Sequence, residues 1–216
     1  DSGRAIGVDS QNRAHVAGST LSANFPTRDA AQPRSKGLYD AFYTRLSPDG
    51  RTVEYSTYLG GSMVDQARAI AMDPAGIAYV AGMTSSRNFP VTDPYQRVYG
   101  GGAYDAFIAK YVPWDTVPEY VTYLGGNGRD IASGAATDGR GGVYVTGITD
   151  SANFPTTDPY PPVFGARGQG GFVAALLDHA EPPRVPTADF QVNATSGKAP
   201  LAVRFKDLST GYPTSW

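Results

Sequence analysis

Three stretches of the 216-residue chain decide its fold: Asp1–Pro26 (DSGRAIGVDSQNRAHVAGSTLSANFP), Asp65–Pro90 (DQARAIAMDPAGIAYVAGMTSSRNFP) and Asp130–Pro155 (DIASGAATDGRGGVYVTGITDSANFP). They align without a gap. Phe-Pro recurs at Phe25, Phe89 and Phe154, spaced 64 and 65 residues. Beyond these stretches, Tyr58-Leu59-Gly60-Gly61 returns as Tyr123-Leu124-Gly125-Gly126. Asp40-Ala41-Phe42 returns as Asp105-Ala106-Phe107, and Gly170-Gly171-Phe172 takes the same place in the third copy. A fixed period of this length is the mark of a repeat architecture.

The second copy shows what one period contains. Four short apolar segments, at Arg68–Met72, Ile77–Met83, Ala103–Tyr111 and Glu119–Leu124, are separated by turn residues. Asp73-Pro74-Ala75-Gly76 and, in the first copy, Ser47-Pro48-Asp49-Gly50 place Pro and Gly where tight turns need a fixed and a positive φ. Each copy is therefore expected to be a four-stranded antiparallel meander with a long loop between its second and third strands. Four short strands per period predict all-β β-propeller blades: three repeats of about 65 residues. Small residues (Ala69, Ala71, Ala81, Gly82 and their counterparts) suit a crowded inner edge, and Phe107, Ile108, Tyr111, Tyr120 and Tyr123 suit the wider outer part. A β-solenoid, with shorter coils and no such gradient, fits less well.

Composition agrees and excludes several classes. Gly (26) and Pro (17) are frequent enough to punctuate any long helix, while 41% hydrophobic residues suffice for a core. A net charge of −2 offers no basic field for nucleic acid. No long apolar run is present to span a membrane. Without cysteine there is no disulfide, thiolate nucleophile or thiolate metal site. The two histidines, His15 and His179, lie far apart, which argues against a His-centred active site; His15 occupies the slot of Tyr79 and Tyr144 and reads as a packing variant.

The run of Tyr55–Ser62, Asp65, the Asp73 turn, Tyr79–Ser85, Asn88-Phe89-Pro90 and Asp105–Lys110 resembles the SBBP family of β-propeller repeats of secreted and surface proteins of bacteria and archaea. The resemblance covers residues 1 to 177 and implies an extracellular location and a role in assembly or binding, with no catalytic residues to carry over. Blades are expected at 1–64, 65–129 and 130–178, the last lacking its fourth strand, within a propeller region 1–178. A Pro-rich linker follows at 179–187. Residues 188–216, with Ala188-Asp189-Phe190, Leu201–Phe205 and Asp207–Gly211, resemble the opening of a PKD domain, a partial immunoglobulin-like β-sandwich. Three blades do not close a ring, so the chain is expected to be a slice of a longer polypeptide, a homo-oligomeric ring being the alternative.

Several recurring residues admit both a functional and a plain structural role. The recurring aspartates Asp1, Asp65 and Asp130, Asp9, Asp73 and Asp138, and Asp93 and Asp158 raise calcium, but none has the dense spacing of a calcium loop, and turn capping is the favoured role. No metal site or other cofactor is expected. The loops hold Tyr39, Tyr95, Tyr99, Tyr104, Tyr160 and Phe164 together with Arg28, Arg34, Arg87, Arg97 and Arg167, side chains that carry binding energy at interfaces and stack on sugars. Tyr39, Tyr95, Tyr99, Tyr104, Tyr160 and Arg97 are the candidate partner-binding residues. The expectation is a non-enzymatic extracellular structural or adhesive module of a surface protein or filament. Its partners would be other surface proteins or copies of itself. The alternative is a glycan-binding or accessory domain of a secreted hydrolase; a hydrolytic or lyase propeller ranks third.

Overall fold

A computed structural model describes residues 1–156 and 170–177, together with the backbone of two short strands, Phe190–Val192 and Phe205–Asp207. The chain divides into two compact units, residues 1–177 and 178–216. The described residues are all-β, without a helix.

In the first unit each period forms one antiparallel sheet. The first contains β1 (Ser2–Val8), β2 (Ala14–Thr20), β3 (Asp40–Leu46) and β4 (Val53–Leu59), in that order. The second contains β5 (Asp65–Met72), β6 (Ala78–Thr84), β7 (Asp105–Tyr111) and β8 (Tyr120–Leu124). The third has three strands, β9 (Asp130–Thr137), β10 (Val143–Thr149) and β11 (Gly170–Leu176), in the order β11-β10-β9. In the second unit β12 (Phe190–Val192) pairs antiparallel with β13 (Phe205–Asp207). The sheets of the first unit do not close on one another.

The turns form where the sequence places them: Gly50 and Gly76 sit at φ 69° and 85°, as their turns require. Asp9, Asp73 and Asp138 accept backbone N–H bonds from their own turns, from Gln11 and Arg13, from Ala75, and from Arg140 and Gly142. This is the capping role expected of them.

The blades converge at their first strands, β1 on β5 and β5 on β9. One core lies between the first and second sheets, built on Ala17, Tyr43, Leu59, Ala67, Val80, Phe107 and Val121. A second lies between the second and third, built on Ala69, Tyr79, Ile108, Ala132, Val145 and Phe172. Alternate residues of β5 thus face opposite neighbours, with Ile70 on the first core and Ala69 in the second. The outer faces of the first and third sheets show the same positions uncovered. Ile6 is 69% exposed where Ile70 is packed, and Val173 is 73% exposed where Ile108 is buried.

Each first strand carries a one-residue bulge. Gly3 and Ala5 pair with Gly18 and Ala17, leaving Arg4 extra; Arg68 and Ser133 are the extra residues of β5 and β9. The bulge drives a carbonyl of the first strand over the second: a Cβ at Gly18, Gly82 or Gly147 would collide with the carbonyl oxygen of Ser2, Gln66 or Ile131. Small residues at the inner edge follow from this local geometry as well as from the taper of the blade.

Candidate functional site

The polar side chains of the repeat gather where one blade meets the next. At the head of β5, Asp65 is fully buried. Its carboxylate accepts hydrogen bonds from the Thr84 hydroxyl, from the Ser86 hydroxyl at 2.9 Å and from the Gly61 N–H at 2.7 Å. Asp130 repeats the arrangement with Thr149, Ser151 at 2.6 Å and Gly126 N–H at 2.8 Å. Asn88 and Asn153 accept N–H bonds from Ser62 and Asn127 across the same turn. The Tyr123 hydroxyl donates to Ser86 O and accepts from Phe89 N–H, and Tyr58 does the same with Ser22 and Phe25. The recurring Thr-x-Ser-x-Asn-Phe-Pro and Tyr-Leu-Gly-Gly segments are two halves of one clasp.

A second carboxylate stands against each of these aspartates. A Cβ added to Gly60 would land on Asp40 Oδ1 and lie 2.9 Å from Asp65 Oδ2; one added to Gly125 would lie 3.0 Å from Asp105 Oδ1 and 2.8 Å from Asp130 Oδ2. Glycine is required because two carboxylates occupy the space beside it. Asp40 and Asp105 are fully buried. Their Oδ2 atoms accept N–H bonds from Lys36 (2.8 Å) and Gly100 (2.6 Å), while neither Oδ1 has a hydrogen-bond partner among the described residues. Gln32 and Gln96 brace the corner, each accepting an N–H bond from the first glycine of Gly-Gly, at 3.1 and 2.9 Å.

Burial of two like charges side by side favours the neutral acid. Burial, with the charge of Asp40 beside it, pushes Asp65 up to about 6 despite its three hydrogen bonds. Burial and the charge of Asp130 push Asp105 up to about 7, against the N–H bond from Gly100. Asp65 and Asp105 therefore take up a proton well above the usual carboxylate range.

His15 anchors a further buried chain. Its Nε2 lies 3.0 Å from Asp9 Oδ2 and its Nδ1 2.7 Å from the Tyr43 hydroxyl, with Arg13 Nε 2.6 Å from the same Asp9 oxygen. Burial lowers the proton affinity of His15, with Asp9 opposing. Asp9 is held well below the usual carboxylate range: burial raises it, but bonds from Arg13 and His15 outweigh that. His15 packs in the slot of Tyr79, as its alignment implies; where the Tyr79 hydroxyl donates to Gly141 O at 3.0 Å, the imidazole links Asp9 to Tyr43.

The candidate partner-binding residues divide. Tyr39 and Tyr104 are equivalent positions that join neighbouring blades through their backbones, the Tyr39 carbonyl accepting from Asp65 N–H at 2.8 Å and Tyr104 from Asp130 N–H at 2.7 Å. Tyr99 rests edge-on against Tyr123, centroids 5.9 Å apart, and its hydroxyl donates to Gly102 O; burial and the charge of Asp105 push it up to about 12. Tyr95 packs on Tyr120 and donates to Leu177 O at 2.9 Å, tying the second blade to the third. Arg97 is exposed beside them. Tyr160, Phe164, Arg167, Asp158, His179 and the Pro-rich linker lie outside the described residues. Among the described residues no group of three or more His, Asp or Glu side chains is placed to hold a metal ion, and no helix is long and apolar enough to cross a membrane.

Two signals could have located the carboxylate pairs: Asp40 and Asp105 open the recurring Asp-Ala-Phe, and Gln32 and Gln96 stand one period apart. Neither shows by itself that the partner lies in the next repeat. No curated protein matches the chain. Residues 54–90 and 119–155 each match the model of SBBP, the beta-propeller repeat. Each match runs from the fourth strand of one blade, through Gly-Gly and the aspartate, to the Phe-Pro of the next. These two segments are thus similar to the SBBP beta-propeller repeat, a repeat family that suggests a structural or protein–protein interaction module.

Proposed function

We propose that the chain is a non-enzymatic extracellular module of a prokaryotic surface protein or surface filament, structural and adhesive in role, that assembles with other surface proteins or with copies of itself. The observation behind this is the use made of its polar groups. Asp65, Asp130, Asn88, Asn153, Gln32, Gln96, Tyr58 and Tyr123 are all committed to joining loop to strand and blade to blade. The outer sheets also expose the apolar side chains of Ile6, Val8 and Val173, at positions that elsewhere in the chain bury a neighbouring blade. In the same proposal residues 188–216 form the opening of a PKD-type sandwich, to which the antiparallel pairing of Phe190 with Asp207 and Val192 with Phe205 lends support.

The test is to raise antibody against residues 1–177, fractionate the producing cells and treat intact cells with protease. Antigen at the surface, protease-sensitive and recovered in high-molecular-weight assemblies, is the expected result. Antigen confined to the cytoplasm as a monomer overturns the proposal. A glycan array run in parallel addresses the lectin alternative: saturable binding lost on replacing Tyr99 or Tyr104 would favour it.

A further inference from the structure

The bulge that recurs in every first strand does more than bend the strand. It places Arg4, Arg68 and Ser133, one from each blade, at the converging inner edge, where with Ser2 and Gly3 they line a solvent-open cleft of about 410 Å³. Bulges are devices that re-aim a side chain, and here the same device is used three times toward one space.

Two guanidinium groups share this cleft, and no carboxylate pairs with either among the described residues. Arg68 Nε is shielded from solvent and has no hydrogen-bond partner among the described residues. Burial and the neighbouring charge of Arg4 both weaken the hold of Arg68 on its proton, with Tyr104 opposing. A buried donor without an acceptor, next to a like charge, is a costly arrangement for the empty protein, and a ligand that supplies negative oxygens relieves both costs. The serine hydroxyls of the lining add neutral donors suited to the same oxygens.

We propose that the inner-edge cleft is an oxyanion site, in which Arg4 and Arg68 bind a phosphate or sulfate group with Ser133 as an auxiliary donor. Two planar forks on separate rigid strands fit a tetrahedral anion with several oxygens better than a monovalent halide. The group arrives either as the free ion or as a substituent of a phosphorylated or sulfated glycan, and both present the same oxygens.

The experiment follows the arginine Nε–H signals of the full chain by NMR while sodium phosphate, sodium sulfate and a sulfated oligosaccharide are added in turn, with sodium chloride at matched ionic strength as control. The Arg68 and Arg4 signals should shift saturably with phosphate or sulfate, with Kd on the order of 1 mM, and not with chloride. Arg68→Gln and Arg4→Gln should each weaken binding about tenfold or more, while Arg51→Gln, on a remote turn, leaves it unchanged. Unaltered amide spectra of each variant away from the cleft establish that it folds. An oligosaccharide bound at least about tenfold tighter than the free ions, with the same dependence on Arg68, identifies a glycan as the source; equal affinity identifies the free ion. Shifts equal to those in chloride, or binding retained in both Gln variants, overturn the proposal.

Discussion

Asp105→Asn should stabilise the protein above neutral pH and leave it nearly unchanged in acid. Asp105 is fully buried against Asp130 and pushed up to about 7, whereas in the unfolded chain an aspartate titrates near 3.9. Because the folded-state value is the higher one, the folded state binds the proton more tightly. The corresponding stability is therefore fully present below about pH 4 and is lost as pH rises toward 7. Three units correspond to a ceiling of about 4 kcal/mol at pH 8. Asparagine carries no charge, keeps an oxygen for the Gly100 N–H, and offers an N–H toward Asp130 where Asp105 Oδ1 has no partner. Exchanging the charge-assisted bond from Gly100 for a neutral one gives back about 1–2 kcal/mol, so a net gain of about 2 kcal/mol is expected. The assay is urea unfolding followed by circular dichroism at steps from pH 4 to 8, read as the difference between wild type and variant. That difference cancels other titrations, including His15, whose lowered proton affinity makes stability fall as pH drops below about 6.5. A difference that does not vary between pH 4 and pH 8, or a variant less stable than wild type at pH 8, would refute the buried-pair reasoning.

Gly125→Ala places a Cβ within 3.0 Å of both Asp105 and Asp130 and should cost about 2–4 kcal/mol in the same unfolding assay, with Gly60→Ala costing a similar amount. Ile108→Ala, emptying a fully buried position between the second and third blades, should cost about 2–5 kcal/mol. Val173→Ala, at the equivalent but exposed position, should change stability by no more than about 0.5 kcal/mol; equal losses at the two positions would mean that the third blade has a neighbour on its outer face. Asn88→Ala removes the acceptor for the Ser62 N–H and hydroxyl and should cost about 1 kcal/mol, with faster amide hydrogen exchange confined to residues 60–65.

How much of this was legible in the sequence depended on whether a feature was local. The turns at Ser47–Gly50 and Asp73–Gly76 announce themselves because φ requirements act within four residues. The strands of the second copy emerge within three residues of the bounds expected for them, because alternation and turn chemistry are also short-range. Two edges differ clearly: β5 starts at Asp65 rather than Arg68, and β7 starts at Asp105 rather than Ala103 because the Tyr104 backbone is spent on the neighbouring blade. The junctions were hidden for a different reason. A repeat shows that Asp40, Asp105, Gln32 and Gln96 recur, but the pairing of Asp40 with Asp65 joins the third strand of one copy to the first strand of the next, and recurrence carries no information about direction. The loop tyrosines show the same limit. Tyr39 and Tyr104 occupy equivalent slots whose backbone role is invisible in a side-chain pattern, and the buried flank of Tyr99 depends on Tyr123, a residue of β8 on the far side of β7 in sequence.

The central claim is that successive repeats are blades stacked face to face, first strand inward, rather than independent sheets or coils of a solenoid. Tyr43 of the first blade and Tyr111 of the second have ring centroids 4.5 Å apart. In protein carrying selectively labelled tyrosine, with Tyr43→Phe and Tyr111→Phe variants for assignment, a strong nuclear Overhauser effect between these two rings is the predicted result. Tyr43 and Tyr111 each showing effects only to residues of its own repeat would contradict it.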